Sequence, residues 1–350
     1  MNENKNKEHK RFKMGWLRYL FPISVVLFII FVFLPKIATL ANTIQVLRSM
    51  SVWLVLLAFF AEILSYVGSG YLLKVLVTQG KSKFSIFRGV LIYMASSSIG
   101  LVAGGLISTS ATTYYWVSKN HEVSPGEAAL TVFIPNLYNY SLTSILTLLS
   151  MEILQLNNGL TKVHIVLYSI VLFFSILGNA IIVYGIFHRA FVERVIPKTL
   201  GGIIRLFKRK YDAIGIRNVL DNAYSGLDML KKRGWKVAAL GSCINIGFDM
   251  LCLYLIFAAA GYTINIFVLI AGYGFALLLG VAAFFVPGGV GIVESGLVVV
   301  YTSLGVPPEI SLIASLSYRF FSFWLPSILG FAVLGYLGRQ PKKNNLDPQK

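Results

Sequence analysis

The stretch Phe285-Val286-Pro287-Gly288-Gly289-Val290-Gly291-Ile292-Val293-Glu294-Ser295-Gly296 lies inside an apolar region and restricts the available folds more than any other segment. Proline removes a backbone donor and the glycines loosen the chain, so a helix break is predicted over 287–291. In lipid each unpaired backbone group costs several kcal/mol, and such a break is tolerated only where protein or a water-filled cavity covers it. The break therefore predicts a sheltered site. Glu294 follows within about one helical turn, and an ionisable group at that depth is a functional candidate.

Composition says what surrounds the break. With 56% apolar and 13% charged residues and a mean hydropathy of +0.73, the 350-residue chain reads as an all-α, polytopic membrane helical bundle. The apolar run from Leu17 to Leu34 follows a basic N-terminus (1–16), yet it is too long for a signal-peptide core and lacks a small-x-small site before Lys36. It reads as an uncleaved first span. Cys243 and Cys252 stand nine apart without metal or disulfide spacing, and the four histidines form no HExxH. No metal or other cofactor is expected. The formal charge of +17 fits cationic enrichment on the cytoplasmic side rather than nucleic-acid binding.

Apolar runs fall at 17–35, 51–78, 86–107, 127–150, 163–187, 236–260, 264–286, 290–304 and 309–337. The segment 188–235 and the next residue, Lys236, carry twelve Lys and Arg against four acidic residues, so this segment is expected in the cytoplasm with both termini, including the tail 339–350. Five runs separate it from the N-terminus, and the parity is satisfied if 86–107, rich in Ser and Gly, enters and returns. After 236 the same argument makes 264–304 a hairpin. The expectation is about six full spans plus two re-entrant broken-helix elements within a transmembrane domain at 17–338. Aligning Gly104-Gly105 with Gly288-Gly289 sets Ser110 against Glu294 and, with one residue skipped, Asn136 against Arg319. That describes an inverted repeat, an architecture of alternating-access carriers.

The site expected at the meeting of the two breaks comprises Arg319, Glu294, Gly288, Gly289, Ser110 and Asn136, with Glu62 and Asp249 as candidates for proton or ion coupling. Pairing is the least costly way to hold Glu294 and Arg319 in lipid. Two readings stand: a structural ion pair, or a guanidinium that grips a phosphate while the carboxylate balances it or a cationic head group. The half-helix starting near Gly291 also favours an anion, which Glu294 partly opposes; a phosphate-plus-ammonium substrate would suit both charges. Glu127, after Pro125-Gly126, reads as charge complementation of a helix N-terminus. No Gly-x4-Gly-Lys-[Ser/Thr] loop and no GxSxG element is present.

Pro287 to Ser295, then Gly305-Val306-Pro307, Ser317-Tyr318-Arg319, Leu325-Pro326 and Gly330 resemble the C-terminal signature of the lysyl-phosphatidylglycerol synthase transmembrane family, also called flippase-like domains. The resemblance extends over 15–338. It implies a lipid-handling domain of the plasma membrane; in the full-length bacterial synthases such a domain precedes a soluble aminoacyl-transferase domain and delivers aminoacylated phosphatidylglycerol to the outer leaflet, blunting cationic antimicrobial peptides. This chain ends twelve residues after Gly338, so no catalytic domain is expected in it. Many relatives also have a Gly-Glu-x-x-Arg-like element where this chain has Ser108-Thr109-Ser110-Ala111-Thr112-Thr113. The resemblance thus implies a carrier for a phospholipid, aminoacyl-phospholipid or polyprenyl-linked lipid. The alternatives are a phosphatidylglycerol lysyltransferase or its membrane subunit, working with a separate soluble transferase, and a non-catalytic envelope scaffold. Membrane lipids are the expected partners, and a homo-oligomer is compatible with the sequence.

Overall fold

The structure, a computed structural model, describes residues 45–77, 83–119, 123–157, 162–195, 213–282 and 286–339. The expected first span, the basic N-terminus, the tail from 340 and the part of the basic segment at 196–212 lie outside the described residues. The rest is helical: α1 (Val52–Val77), α2 (Ile86–Ala103), α3 (Gly105–Ser118), α4 (Pro125–Leu156), α5 (Lys162–Phe187), α6 (Ala213–Arg233), α7 (Trp235–Ala259), α8 (Ile266–Ala282), α9 (Ile292–Ser303), α10 (Pro308–Arg319) and α11 (Leu325–Arg339). The chain is a polytopic helical membrane protein. Five helical stretches among the described residues are long and apolar enough to cross a membrane: Val52–Val77, Ile86–Ala103, Tyr168–Phe187, Trp235–Ala259 and Pro308–Arg339.

Both predicted breaks are hairpin tips. Gly104 ends α2 with φ +105° and Gly105 opens α3 with φ +49°, conformations that residues with a Cβ rarely adopt. Thr113 then donates to Ser96 at 2.9 Å, and Thr109 packs against Gly100, so α3 runs back along α2. In the second half Tyr301 donates to the Leu269 carbonyl at 3.0 Å, while Gly280 faces Val293. α9 thus runs back along α8, and the turn includes a single 3-10 turn at Pro287–Gly289. Each hairpin is followed by a helix that begins on proline, Pro125 in α4 and Pro308 in α10. α2 is long enough to cross by itself, but the Gly104 turn sends the chain back.

The directions of the helices agree with the parity argument. Ser51 N–H donates to Ala259 C=O at 3.0 Å, and Gly68 and Gly241 face Asn245 and Leu72, so α1 and α7 are antiparallel along their length. α4 and α5 are antiparallel too, through Ser141–Asn179 and Ser144–Ser175 hydrogen bonds. A returning α2–α3 hairpin plus this pair brings the chain back to the end where α1 finished, as antiparallel α1 and α7 require. The two hairpins then point at each other from opposite ends of the bundle. Their tips touch, because a Cβ on Gly288 would lie 3.3 Å from Leu101 of α2.

Small residues let the helices approach where no hydrophobic drive holds them together. A Cβ on Gly89 of α2 would meet the Gly70 backbone of α1 at 2.5 and 2.9 Å. Backbone cannot move aside as a side chain can, so Gly89→Ala lowers stability by about 1–3 kcal/mol. Gly247→Ala, where a Cβ meets nothing within 4 Å, is neutral or slightly stabilising by comparison. Thermal unfolding of the two detergent-solubilised variants checks the contrast. α6 is amphipathic, crosses α4 at a Gly126–Gly226 backbone contact and buries Leu230 against Leu72, Leu130 and Ala238.

Candidate functional site

The hairpin tips, α1, α4, α7, α8 and α10 line a half-open cavity of about 300 Å³. Gly100, Gly105, Gly288 and Gly289 bring backbone to its wall, while Glu62, Asp249, Tyr273, Tyr318 and Arg319 supply polar groups.

Glu294 and Arg319 are ion-paired beside this cavity. Arg319 Nε donates to Glu294 Oε1 at 2.8 Å and Nη2 donates to the Gly288 carbonyl at 3.0 Å. The guanidinium lies 4.2 Å over the Phe323 ring. Glu294 is 4% exposed and Arg319 9%, so neither charge is stabilised mainly by bulk water. The other carboxylate oxygen of Glu294 accepts from Gly291 N–H at 2.8 Å, capping α9. The opposition expected of Glu294 goes further than partial: the positive end of α9 is occupied by the protein's own carboxylate. The place left for an anion is the guanidinium, whose Nη1 has no protein acceptor among the described residues and whose side chain lines the cavity.

The π turn Phe320–Trp324 follows Arg319 directly, and its cause is Pro326. In an α-helix the N–H of residue 326 would pair with the carbonyl of 322; proline has no N–H and its ring crowds that carbonyl. The freed Ser322 carbonyl instead accepts from Tyr66 of α1 at 2.9 Å. Arg319 is thereby tied to α1 through the turn that follows it.

A second polar group lines the cavity wall. Glu62 of α1, 4% exposed, meets Asp249 of α7 in carboxyl–carboxyl contact, with the Cys252 thiol also at Glu62. Asp249 Oδ2 accepts from Tyr273 at 2.6 Å and from Tyr318 at 3.0 Å. Beside them Asn139 donates to Asn245 at 3.1 Å, and Asn245 donates to Ser65 at 2.9 Å, a ladder across α4, α7 and α1. Ser242 donates to Asn139 as well.

Of the residues expected in one site, Glu294, Arg319, Gly288, Gly289, Glu62 and Asp249 come together. Ser110 and Asn136 do not. They line a separate, mostly apolar cavity of about 670 Å³ between α3, α4 and α5, where Asn136 donates to its own helix at Val132 O. The reason is that α3 and α4 turn these side chains away from α2. The sequence reading overlooked Tyr66, Tyr273 and Tyr318. Spacing marked the faces they meet: Glu62 and Tyr66 are four apart, and Ser242, Asn245, Asp249 and Cys252 recur every three or four residues, one face of each helix. Glu127 is the capping residue it was expected to be, paired reciprocally with Ser124.

The family described as lysylphosphatidylglycerol synthase TM region matches residues 19–330. A UPF0104 membrane protein of Methanocaldococcus jannaschii is 27% identical over 332 residues, 91% of this chain and 96% of that one. Another, from Methanothermobacter thermautotrophicus, is 30% identical over 162 residues, 44% of this chain and 47% of its own length. Both glycine-broken hairpins and the buried Glu294–Arg319 pair fall within the matched region, and the chain belongs to the lysylphosphatidylglycerol synthase transmembrane-region family.

Proposed function

We propose that this protein is a lipid carrier that moves a phosphate-bearing membrane lipid between leaflets, with the head group held at Arg319. The observation that carries the reading is the buried guanidinium at the meeting point of two opposed hairpins, with donors left over beside a cavity. A planar guanidinium with free N–H groups suits phosphate oxygens, and a poorly hydrated site strengthens the attraction. Paired breaks at a repeat interface are the arrangement in which carriers expose one site alternately to two sides. The volume of about 300 Å³ admits a head group rather than a whole lipid, so the acyl chains stay in the bilayer. In this reading the membrane is the plasma membrane and both termini lie in the cytoplasm, as the basic segments favour.

The experiment is leaflet exchange in vesicles. Purified protein is reconstituted into phosphatidylcholine vesicles containing a trace of fluorescent phosphatidylglycerol or of a fluorescent diacylglycerol, and outer-leaflet label is quenched by dithionite. Protein accelerates the phosphatidylglycerol probe at least about tenfold more than the probe without phosphate, a discrimination worth about 1.4 kcal/mol. Equal acceleration of both probes, or none of either, overturns the proposal.

A further inference from the structure

Glu62 and Asp249 meet across the antiparallel α1–α7 seam, and Glu62 Oε2 and Asp249 Oδ1 are buried without a hydrogen-bond donor among the described residues. Ionised carboxylates only accept hydrogen bonds, so two in contact repel unless a proton bridges them. Asp249 already receives two tyrosine hydroxyls, whereas among the described residues Glu62 has only the Cys252 thiol, a weak donor. A proton carried on Glu62 and shared with Asp249 removes that repulsion.

Resting on the carrier reading above, we propose that the Glu62–Asp249 pair is a proton site coupled to head-group binding at Arg319, so that an anionic lipid crosses together with a proton. Both groups line one cavity. With one bridging proton the pair carries a single negative charge, Glu294 another, and Arg319 one positive charge. An entering anion makes this sum more negative beside charges that are themselves buried, and a further proton on the pair restores it. Proton and anion binding thus favour each other, each by the same factor. Among the described residues, the remaining ionisable groups facing the pair are Tyr66 on α1, Tyr93 on α2, Tyr140 on α4, Cys252 on α7, Tyr273 on α8, and Tyr318 and Arg319 on α10. Of these only Arg319 carries a charge at neutral pH when unperturbed, so the carboxyl pair is the part of the cavity that exchanges a proton.

The test uses the full chain in phosphatidylcholine vesicles with trace fluorescent phosphatidylglycerol. A pH difference is imposed across the membrane, and the potential is clamped with valinomycin and equal potassium. The steady-state distribution of the probe shifts toward the alkaline side by up to about tenfold per pH unit, the value for one proton per lipid. Glu62→Gln and Asp249→Asn, shape-conserving changes, each abolish the shift, whatever exchange rate they retain. Independently of lipid, the infrared C=O band of a protonated carboxyl is present in the wild type and missing in Glu62→Gln. A wild-type distribution indifferent to pH, or one that follows a sodium difference instead, overturns the coupling while the carrier reading stands. Absence of the infrared band overturns the proton site. No exchange under any gradient, with the band present, overturns the carrier reading and the coupling with it.

Discussion

Arg319→Ala abolishes phosphatidylglycerol exchange and lowers stability by about 3–5 kcal/mol, because the alanine leaves Glu294 as an uncompensated buried charge. The structural and functional parts of that loss separate in a second variant. Arg319→Met with Glu294→Gln removes both charges at similar volume, and the glutamine carbonyl can still accept from Gly291 N–H. Replacing a buried ion pair by neutral groups of like size is often close to neutral for stability, so the double variant unfolds near the wild-type temperature. It still lacks the guanidinium, and exchange stays at least about tenfold below wild type, the discrimination assigned to a phosphate-binding donor. The measurements are thermal unfolding and dithionite quenching on the same preparations. A double variant that regains stability and exchange together shows the pair to be purely structural. An Arg319→Ala protein that keeps both removes the site.

The elements legible in the sequence were those in which backbone chemistry dominates. Gly104-Gly105 and Pro287-Gly288-Gly289 break helices because of what the residues are, and no tertiary context overrides a missing N–H or a positive φ. Charge gave the parity, and parity required the hairpins that α2–α3 and α8–α9 form. The Glu294–Arg319 contact was legible because lipid makes an unpaired charge costly. What escaped was the direction of side chains. Ser110 and Asn136 followed from alignment alone, which fixes register within a repeat but not which wall of a helix faces the centre. The polar stripes of α1 and α7 were present as spacing, yet a stripe identifies a buried face only once the neighbouring helix is known. The tyrosine ties to Ser322 and Asp249 join residues up to 256 positions apart, beyond the reach of any local pattern.

Gly288→Ala destabilises the protein by about 2–5 kcal/mol and removes exchange, and the reasons are separable by comparison with a second glycine. Gly288 has φ +60° and ψ 6°, a left-handed conformation that costs a residue with a Cβ about 1–2 kcal/mol. Its Cβ would also lie 2.7 Å from Phe323 Cε1, and Phe323 is the ring beneath the Arg319 guanidinium. Moving that ring costs about 1–3 kcal/mol as overpacking and shifts the guanidinium from its place against the Gly288 carbonyl. Gly305 has φ +88°, and a methyl group added there would meet nothing within 4 Å, so Gly305→Ala incurs the backbone cost alone. The difference between the two variants in thermal unfolding therefore isolates the Phe323 contact, and exchange falls in Gly288→Ala while Gly305→Ala retains it. Equal destabilisation with exchange intact in both means that the hairpin tip only turns the chain, and that Arg319 does not depend on it for position.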